Sequence, residues 1–350
     1  MQLLKRTLPK EETALFARQL SLVAQSDVPM QQGLEIISDR SRNKKIQTIC
    51  HTVADQLGKG ISFTDAVSGY SDELGTLFIE MSSVGEKSGN LPIMLERVAD
   101  SIEKDLETKS KIRSAVSYPL ILGTLMLAVI VLLLVYVLPM FNEILTSLGG
   151  NMNSFTRGLM DFGIFISNNF VLIILVIVAV VLAAYIAGRT GRGRYFRDYM
   201  KLHLPWTRGI NRADTASVFA RNLAMLIRSG INVTIAVDML RGIIDNRVIA
   251  VRLWKTEQSL SEGERIEKAF GELDLFPDIL IKLFSVAMET GGLDKTLEKA
   301  ADIMEKETDE KLERMTSVIE PLMVILLSVL VGFILISVIL PVTGILNSIG

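Results

Sequence analysis

The residue types most often used for chemistry are scarce in this chain of 350 residues. It contains one cysteine, Cys50, and two histidines, His51 and His203. A single cysteine can form neither a disulfide within the chain nor a set of thiolate ligands, so we interpret Cys50 as a packing residue of an amphipathic helix. Neither histidine lies in a motif that would supply the nucleophile or acid that a catalytic imidazole needs. These residues predict no catalytic centre, no metal site and no cofactor.

The sequence also lacks a motif for nucleotide hydrolysis. No GxxxxGK[ST] segment occurs, so we expect any ATPase activity to belong to a partner. A glycine-rich basic segment, GRTGRGR at 188–194, directly follows a long apolar run. In that position it is typical of a membrane-flanking anchor that contacts anionic lipid headgroups. We therefore predict that the protein is not an enzyme and that membrane lipid is one of its contacts.

One helical segment of the chain occurs twice. FARQLSLVAQSDV begins at Phe16 and FARNLAMLIRSGI begins at Phe219, an offset of 203 residues. Five of the first thirteen pairs are identical, against about one expected for unrelated segments. Leu20 follows Phe16, and Leu223 follows Phe219, at the i, i+4 spacing of one helix face. We predict that these four residues belong to the matched cores of two helical bundles.

The correspondence continues to the C-terminus with one gap, after which the offset is 202, as in Leu91 and Leu293. Self-similarity over about 135 residues indicates a duplicated domain. The arginines of the matched set suit either an ion pair inside each bundle or a partner contact. The glutamates suit either a helix end, where they orient the glycine turn or pair with a neighbouring basic residue, or a partner or cation contact. The matched polar and glycine positions are Arg18 with Arg221, Glu86 with Glu289, and Gly89 with Gly292.

Each copy has the pattern of an all-α bundle. Apolar residues recur with helical spacing, and glycine-rich stops such as GEKSGNLP (85–92) and METGGLD (288–294) separate the helices. Strand alternation and hairpin turn pairs are missing from the sequence. The chain has 37 basic and 39 acidic residues, a balance that argues against nucleic acid as a partner.

Three uncharged segments indicate membrane spans. Residues 114–142, 162–188 and 321–350 each contain about twenty consecutive apolar residues, enough to cross a bilayer core of about 30 Å. The sequence thus predicts an all-α membrane protein with two homologous cytoplasmic bundles, arranged as tandem parallel repeats, and three transmembrane helices. Prolines mark the entrances and exits of the first and third spans: Pro119, Pro139, Pro321 and Pro341.

Basic residues set the predicted orientation. They cluster before the first span and after the second, whereas the connection between these spans holds only Arg157. The positive-inside rule then predicts a cytoplasmic N-terminus, two cytoplasmic bundles and an outside C-terminus. The unduplicated second span returns the chain so that both copies face the same way. The predicted domains are a bundle at 1–113, a span at 114–140, an extracytoplasmic loop at 141–168, a span at 169–188, a second bundle at 189–318, a span at 319–341 and a tail at 342–350.

In this layout the sequence resembles the GspF/PilC family, the polytopic platform proteins of type II secretion systems and type IV pilus machines. The resemblance lies in the doubled FARQL and FARNL helices, GEKSGNL at 85–91, SAVSYPLIL at 114–122, and IEPLMVILLSVLVGFILISVILP at 319–341. It implies a non-enzymatic protein of the cytoplasmic (inner) membrane that couples a hexameric assembly ATPase to pilin extraction. Further implied partners are a retraction ATPase, pilin or pseudopilin subunits, other inner-membrane assembly proteins and further copies of the chain.

Two alternatives to a pilus or competence platform are a type II secretion platform and, more distantly, a small membrane transporter. Transporters usually place ionisable residues or broken helices at the membrane midplane. The uncharged segments 114–142, 162–188 and 321–350 contain no charged residue, and the prolines lie near the ends of the spans. The platform role is therefore the favoured interpretation.

Overall fold

The computed structural model describes residues 8–147 apart from position 27, residues 191–349 apart from position 245, and isolated positions between 158 and 183. The described residues are helical or irregular, with no strand among them, which confirms the predicted all-α class. Most of the predicted extracytoplasmic loop and of the predicted second span lies outside the described residues.

The first repeat consists of short helices followed by one long helix. Asn43 and Ser62 begin two of the short ones, because their side chains accept hydrogen bonds from backbone N–H groups at Lys45 and Asp65. The helices are α1 (Lys10–Gln25), α2 (Met30–Arg40), α3 (Lys44–Gly58), α4 (Phe63–Ser68), α5 (Ser71–Leu74), α6 (Thr76–Ser88) and α7 (Leu91–Leu132). A π-helical turn, Leu133–Val137, connects α7 to α8 (Leu138–Ser147).

The second repeat follows the same order. Asn246 begins one of its helices by accepting from the backbone N–H groups of Val248 and Ile249, at the position that corresponds to Asn43. Its helices are α9 (Gly191–His203), α10 (Pro205–Arg228), α11 (Val233–Leu240), α12 (Arg247–Ser261), α13 (Ile266–Gly271), α14 (Asp278–Thr290) and α15 (Leu293–Ile349). Thus α1 to α4 correspond to α10 to α13, α6 to α14, and α7 to α15.

The gap between the copies lies earlier than the sequence comparison places it. Helices α4 and α13 begin at Phe63 and Ile266, an offset of 203, whereas α6 and α14 begin at Thr76 and Asp278, an offset of 202. One residue is therefore missing between α13 and α14, before the glycine-rich turns. Corresponding residues of α6 and α14 are consequently 202 positions apart along the whole of both helices.

This register corrects two of the matched pairs. Gly89 ends α6 with a left-handed φ of 70°, and the residue that ends α14 in the same way is Gly291, with a φ of 74°. Gly292, which was matched to Gly89 from sequence, is the next residue along. By the same shift Glu86 corresponds to Met288 and not to Glu289. The two alignments are hard to distinguish in sequence because Gly291 and Gly292 are adjacent, so that either can be matched to Gly89.

The described residues form two compact units. Unit 1 comprises the described parts of Met1–Lys111 and Asp198–Asp309, and so contains the short helices of both repeats. Unit 2 comprises the described parts of Ile112–Arg197 and Glu310–Gly350. The long helices α7 and α15 contribute residues to both units.

Aromatic side chains fill the core of unit 1. In the first repeat Phe16 is 1% exposed and stacks on Phe78, with ring centroids 6.0 Å apart. In the second repeat Phe219 is fully buried and lies 5.6 Å from Phe270 and 5.8 Å from Phe276. Leu20 and Leu223 are also fully buried, one turn along each helix. Each such side chain contributes about 1.5–3 kcal/mol by its removal from water.

Unit 2 contains apolar helix surface that is exposed. Among the described residues, the helix Leu91–Val137 is long and apolar enough to cross a membrane, as judged by length and composition. The predicted third span lies within α15. Helices α7 and α15 contact each other in this unit, where the Tyr118 hydroxyl donates to Glu320 at 3.4 Å. A Cβ added to Gly123 would lie 2.9 Å from the Met323 methyl group.

The four prolines lie within helices. Pro119 is inside α7, and Pro321 and Pro341 are inside α15. Pro139 is the second residue of α8 and directly follows the π-helical turn. Proline lacks the N–H that would bond one turn back, and a π turn is one way in which a helix accommodates that loss.

Candidate functional site

The structure does not bring the cysteine and histidines together as a catalytic group. Cys50 is fully buried, and burial raises the pKa of its thiol to about 12. His51 Nε2 lies 3.0 Å from the Ser38 hydroxyl, and His203 Nδ1 lies 2.8 Å from the backbone oxygen of Tyr199. Within the described residues, no group of three or more His, Cys, Asp or Glu side chains could hold a metal ion.

The candidate site is the seam where the two repeats of unit 1 meet. We define the seam as α6 and α7 of the first repeat against α10, α11 and α15 of the second. At its centre the Ser101 hydroxyl donates to Asn222 Oδ1 at 2.8 Å, and both residues are buried. Arg97 donates to the Ser229 hydroxyl at 3.4 Å. At the α6 end, a Cβ added to Gly242 would lie 2.9 Å from the Thr76 side chain, so these segments are in close contact.

Glu305 is the anionic centre of the seam. Its side chain is 12% exposed and pairs with Arg221 at 2.6 Å, with Lys104 at 3.0 Å and with Lys111 at 3.9 Å. Burial alone would raise the pKa of Glu305, but hydrogen bonds from Arg221 and Lys104 outweigh burial and lower it. Lys111 also pairs with Asp309 at 3.0 Å. The second repeat thus supplies carboxylates that hold lysines of the first.

The arginines matched between the repeats make equivalent ion pairs. Arg18 binds Asp100 at 2.5 Å and Glu103 at 2.8 Å, and Glu103 corresponds to Glu305 at the offset of 202. Hydrogen bonds to Glu103 and Asp100 raise the pKa of Arg18. The carboxylates around Arg18 are half or more exposed, whereas Glu305 is shielded by the other repeat. Each arginine therefore ties the first helix of its repeat to the last, and Arg221 does so inside the seam.

A groove of about 560 Å³ runs along the seam. Cofactor pockets of this size are mainly apolar, with a few placed polar groups. This groove is instead lined largely by charged side chains of both signs, which favours a polar protein segment over a small apolar ligand. The charged lining residues are Arg97, Asp100, Glu103, Lys104, Glu107, Arg221, Arg228, Glu298 and Asp302.

Asp214 is a half-buried carboxyl of α10 near the same contact. Burial raises the pKa of Asp214 to about 6, and the negative charges of Asp105 and Glu305 add to the shift. Asp105 behaves oppositely. Burial would raise the pKa of Asp105, but hydrogen bonds from Lys109 at 2.8 Å and Lys10 at 2.9 Å lower it. Asp105 is hydrogen-bonded to both lysines, whereas at Asp214 burial and the like charges outweigh the attraction of Lys109 and Lys10.

Glu86 has a structural role that neither sequence-based alternative anticipated. Its carboxylate accepts hydrogen bonds from the backbone N–H groups of Phe63 at 2.7 Å and Thr64 at 2.9 Å, at the start of α4. Burial would raise the pKa of Glu86, but these bonds outweigh burial and lower it. Glu289 is exposed, and its carboxylate has no hydrogen-bond partner among the described residues. The two glutamates therefore differ in function.

Sequence reasoning missed the polar centre of the seam. Ser101, Asn222 and Asp214 are not identical to their counterparts in the other repeat, which are Ile303, Gln19 and Glu11. They were not singled out because only identical pairs were used to find matched positions. A polar residue on the inward side of a helix was the signal that could have identified Asn222, since it lies three residues after the core position Phe219.

Comparison with known proteins gives the chain clear relatives. The family model described as type II secretion system (T2SS), protein F matches residues 16–139 and 219–341, which confirms the duplication. The chain is 32% identical to the type IV pilus assembly protein PilC of Thermus thermophilus over 97% of this chain and 83% of that protein. It is 27% identical to PilC of Pseudomonas aeruginosa, over 97% and 91%. With the type II secretion system protein F of Vibrio cholerae it shares 24%, over 97% and 83%.

Proposed function

The chain belongs to the type II secretion system protein F family, and we propose that it is the platform protein of a type IV pilus or competence pseudopilus assembly machine. The observation that carries this proposal is the 32% identity to a type IV pilus assembly protein over 97% of the chain. Relatives named as type II secretion proteins are 24–26% identical. The pilus role is therefore favoured over the secretion role.

We place the protein in the cytoplasmic membrane with three spans, the N-terminus inside and the C-terminus outside. Support comes from the three uncharged segments, from the basic residues that flank them, and from the apolar helix Leu91–Val137. Reporter fusions at positions 150 and 350 should report the outside, and one at position 250 the cytoplasm. A cytoplasmic signal at position 350 would contradict three spans.

Unit 1 is the proposed docking element for a cytoplasmic assembly ATPase. It offers the mixed-charge groove along the seam, which suits a charged segment of a partner protein. Helices α7 and α15 contribute residues to both units. A movement of unit 1 would pass along these helices toward pilin-like subunits in the membrane. The protein itself is proposed to perform no catalysis.

The test combines deletion with local cross-linking. Deletion should abolish fibre assembly and leave the ATPase activity of the partner and the processing of pilin intact. Photo-reactive residues at 40–45, at 241–247 and at Asp302 in the groove should capture the ATPase in membranes. The matched control is a photo-reactive residue at Val251, which is 51% exposed and lies outside the groove lining. A deletion strain that still assembles fibres would refute the platform role.

The type II secretion alternative makes a different prediction for the same deletion. If a secreted enzyme is lost from the medium while surface fibres are retained, the chain belongs to a type II secretion machine. The transporter alternative requires a path across the membrane, and the single charged residue in the predicted spans, Glu320, lies at the entrance of the third and not at the midplane. Uptake assays that change on deletion while fibres and secretion remain would favour the transporter.

A further inference from the structure

The seam uses a surface of the first repeat but leaves the equivalent surface of the second repeat open. Surface A of the first repeat consists of the outer face of α6 and the adjoining face of α7, represented by Met81 and Ser101. At the offset of 202 its counterpart, surface A′, is represented by Leu283 and Ile303 on the second repeat. Met81 is fully buried and Ser101 is 8% exposed, whereas Leu283 is 46% and Ile303 is 51% exposed. The same face is therefore covered in one repeat and open in the other.

Surface A′ carries further exposed apolar side chains. Ile279 is 64% exposed and Val286 is 59% exposed on the same face of α14 as Leu283. Their counterparts in the first repeat, Leu77 and Val84, are partly buried and pack against the core. Clustered exposed apolar side chains of this kind mark interaction sites more often than isolated ones do.

The first repeat carries the complementary open surface. Surface B of the second repeat, which receives surface A, includes Asn222 and Met225 of α10, and these are 2% and 9% exposed. At the offset of 203 the counterparts on α1 are Gln19 and Leu22. Leu22 is 60% exposed. On α2, Ile36 is 54% exposed where the second repeat has the partly buried Met239. We call the surface of Gln19, Leu22 and Ile36 surface B′.

We propose that a second copy of this chain docks head to tail, with surface A′ of one copy on surface B′ of the next. The seam already shows that a surface of type A fits a surface of type B, and every copy carries one unused example of each. The charges across the contact keep their signs, because Lys104 and Glu305 of the seam correspond to Lys306 and Glu103. Such a contact is heterologous, so it builds a ring if the rotation closes and a filament if it does not.

A cross-linking experiment tests this contact in the full chain. Gln19 and Ile303 correspond to Asn222 and Ser101, whose side chains bond at 2.8 Å. Two tagged versions of the chain, one with Gln19→Cys and one with Ile303→Cys, are therefore co-expressed and oxidised in membranes. A disulfide-linked heterodimer is expected, and neither variant alone should give a dimer. The native Cys50 is buried and does not interfere.

Two matched pairs control the experiment. Ser101→Cys with Asn222→Cys in one chain should form an internal disulfide without a dimer, which shows that the reaction reports this geometry. Gln19→Cys co-expressed with Val251→Cys should remain monomeric. Failure of the Gln19 and Ile303 pair to cross-link while the internal pair does so would overturn the proposal. Equal dimer formation by Ile303→Cys alone would also overturn it, because it would show a face-to-face contact.

A charge placed in the contact gives a second measurement. Leu283→Glu should lower the yield of the heterodimer about tenfold, since a buried charge without a partner weakens an interface. Val251→Glu is the control of similar exposure and should leave the yield unchanged. The inference rests on burial within unit 1 and not on the proposed function. A loss of cross-linking therefore refutes the contact alone, whereas fibre assembly reports separately on the platform role.

Discussion

The two repeats share one arrangement of helices but fill it differently. Among the described residues, the first repeat has a single stacked pair, Phe16 on Phe78, in its core. The second has a cluster of four phenylalanines that includes Phe219, with contacts between ring centroids of 5.2–6.0 Å. Where the second repeat has Phe284, the first has Ser82, which is fully buried and donates to the backbone oxygen of Phe78 at 2.7 Å. The fold thus tolerates a large change of core composition.

The surfaces of the repeats differ as much as their cores. Equivalent faces are buried in the seam on one repeat and exposed on the other, as Ser101 and Ile303 illustrate. The comparison teaches that helix order was retained after duplication, while the residues at each contact changed to suit what covers them. The following four predictions test whether equivalent positions of the two repeats contribute differently to the free energy of unfolding, as their contacts indicate.

The largest expected difference is in the aromatic cores. Phe219→Ala should lower the free energy of unfolding by about 3–5 kcal/mol, because it leaves a ring-sized cavity. Phe16→Ala should fall at the lower end of the same range, since Phe16 contacts one ring and Phe219 contacts two. Unfolding of the full chain in detergent, followed by circular dichroism, measures both. Phe196→Ala, at a position 64% exposed, is the control. Equal losses of unfolding free energy for the two substitutions would contradict the predicted difference between the cores.

The next effect depends on pH and concerns Asp214. A carboxyl whose folded pKa is raised stabilises the protein below its unfolded pKa of about 3.8, and the contribution is lost as pH rises through about 6. Asp214→Asn removes the cost of ionising this carboxyl in the folded state. It should therefore raise the unfolding free energy by up to about 3 kcal/mol at neutral pH. Near pH 4 the substitution should have little effect. Glu11→Gln, at the exposed counterpart in the first repeat, should have none at either pH.

The two arginine pairs should differ by a smaller amount. Arg221→Met leaves Glu305, which is 12% exposed, without its shortest hydrogen bond, at a cost of about 1.5–2 kcal/mol. Arg18→Met should cost less than about 1 kcal/mol, because Asp100 and Glu103 are half or more exposed and screened by water. Denaturant unfolding at low and high salt measures both. A larger loss for Arg18→Met would show that the seam does not strengthen its ion pair.

The smallest effect separates the glutamates. Glu86→Ala should cost about 1 kcal/mol, the usual loss when the cap of a helix N-terminus is removed. Glu289→Ala should change the unfolding free energy by less than about 0.5 kcal/mol, as is common for exposed positions. The same unfolding assay applies. Equal costs would contradict the difference in structural role between the two glutamates.

The sequence predicted the helical class and the duplication because both depend on local periodicity. Phe16 and Leu20 recur as Phe219 and Leu223 with a constant offset, and the family match covers both copies. The position of the gap was placed wrongly, since adjacent glycines at 291 and 292 align almost equally well with Gly89. Only the left-handed φ at Gly291 distinguishes them.

The seam could not be predicted from periodicity. A helical pattern shows which face is buried but not which helix covers it. Ser101 and Asn222 are buried against each other across 121 positions of sequence, and no local rule joins them. The role of Glu86 was hidden for the same reason, because its partners at the start of α4 lie more than twenty positions earlier.

The polar seam has a further consequence for how the repeats stay associated. Because both belong to one polypeptide, they meet within one molecule, at an effective concentration that does not depend on the number of chains. A contact made of Ser101 with Asn222 and of Lys104 with Glu305 can then remain formed although it would be weak between separate molecules. The contact between copies has no such tether, so its occupancy follows the number of chains in the membrane. Duplication within one gene has made the first association independent of expression level and has left the second sensitive to it.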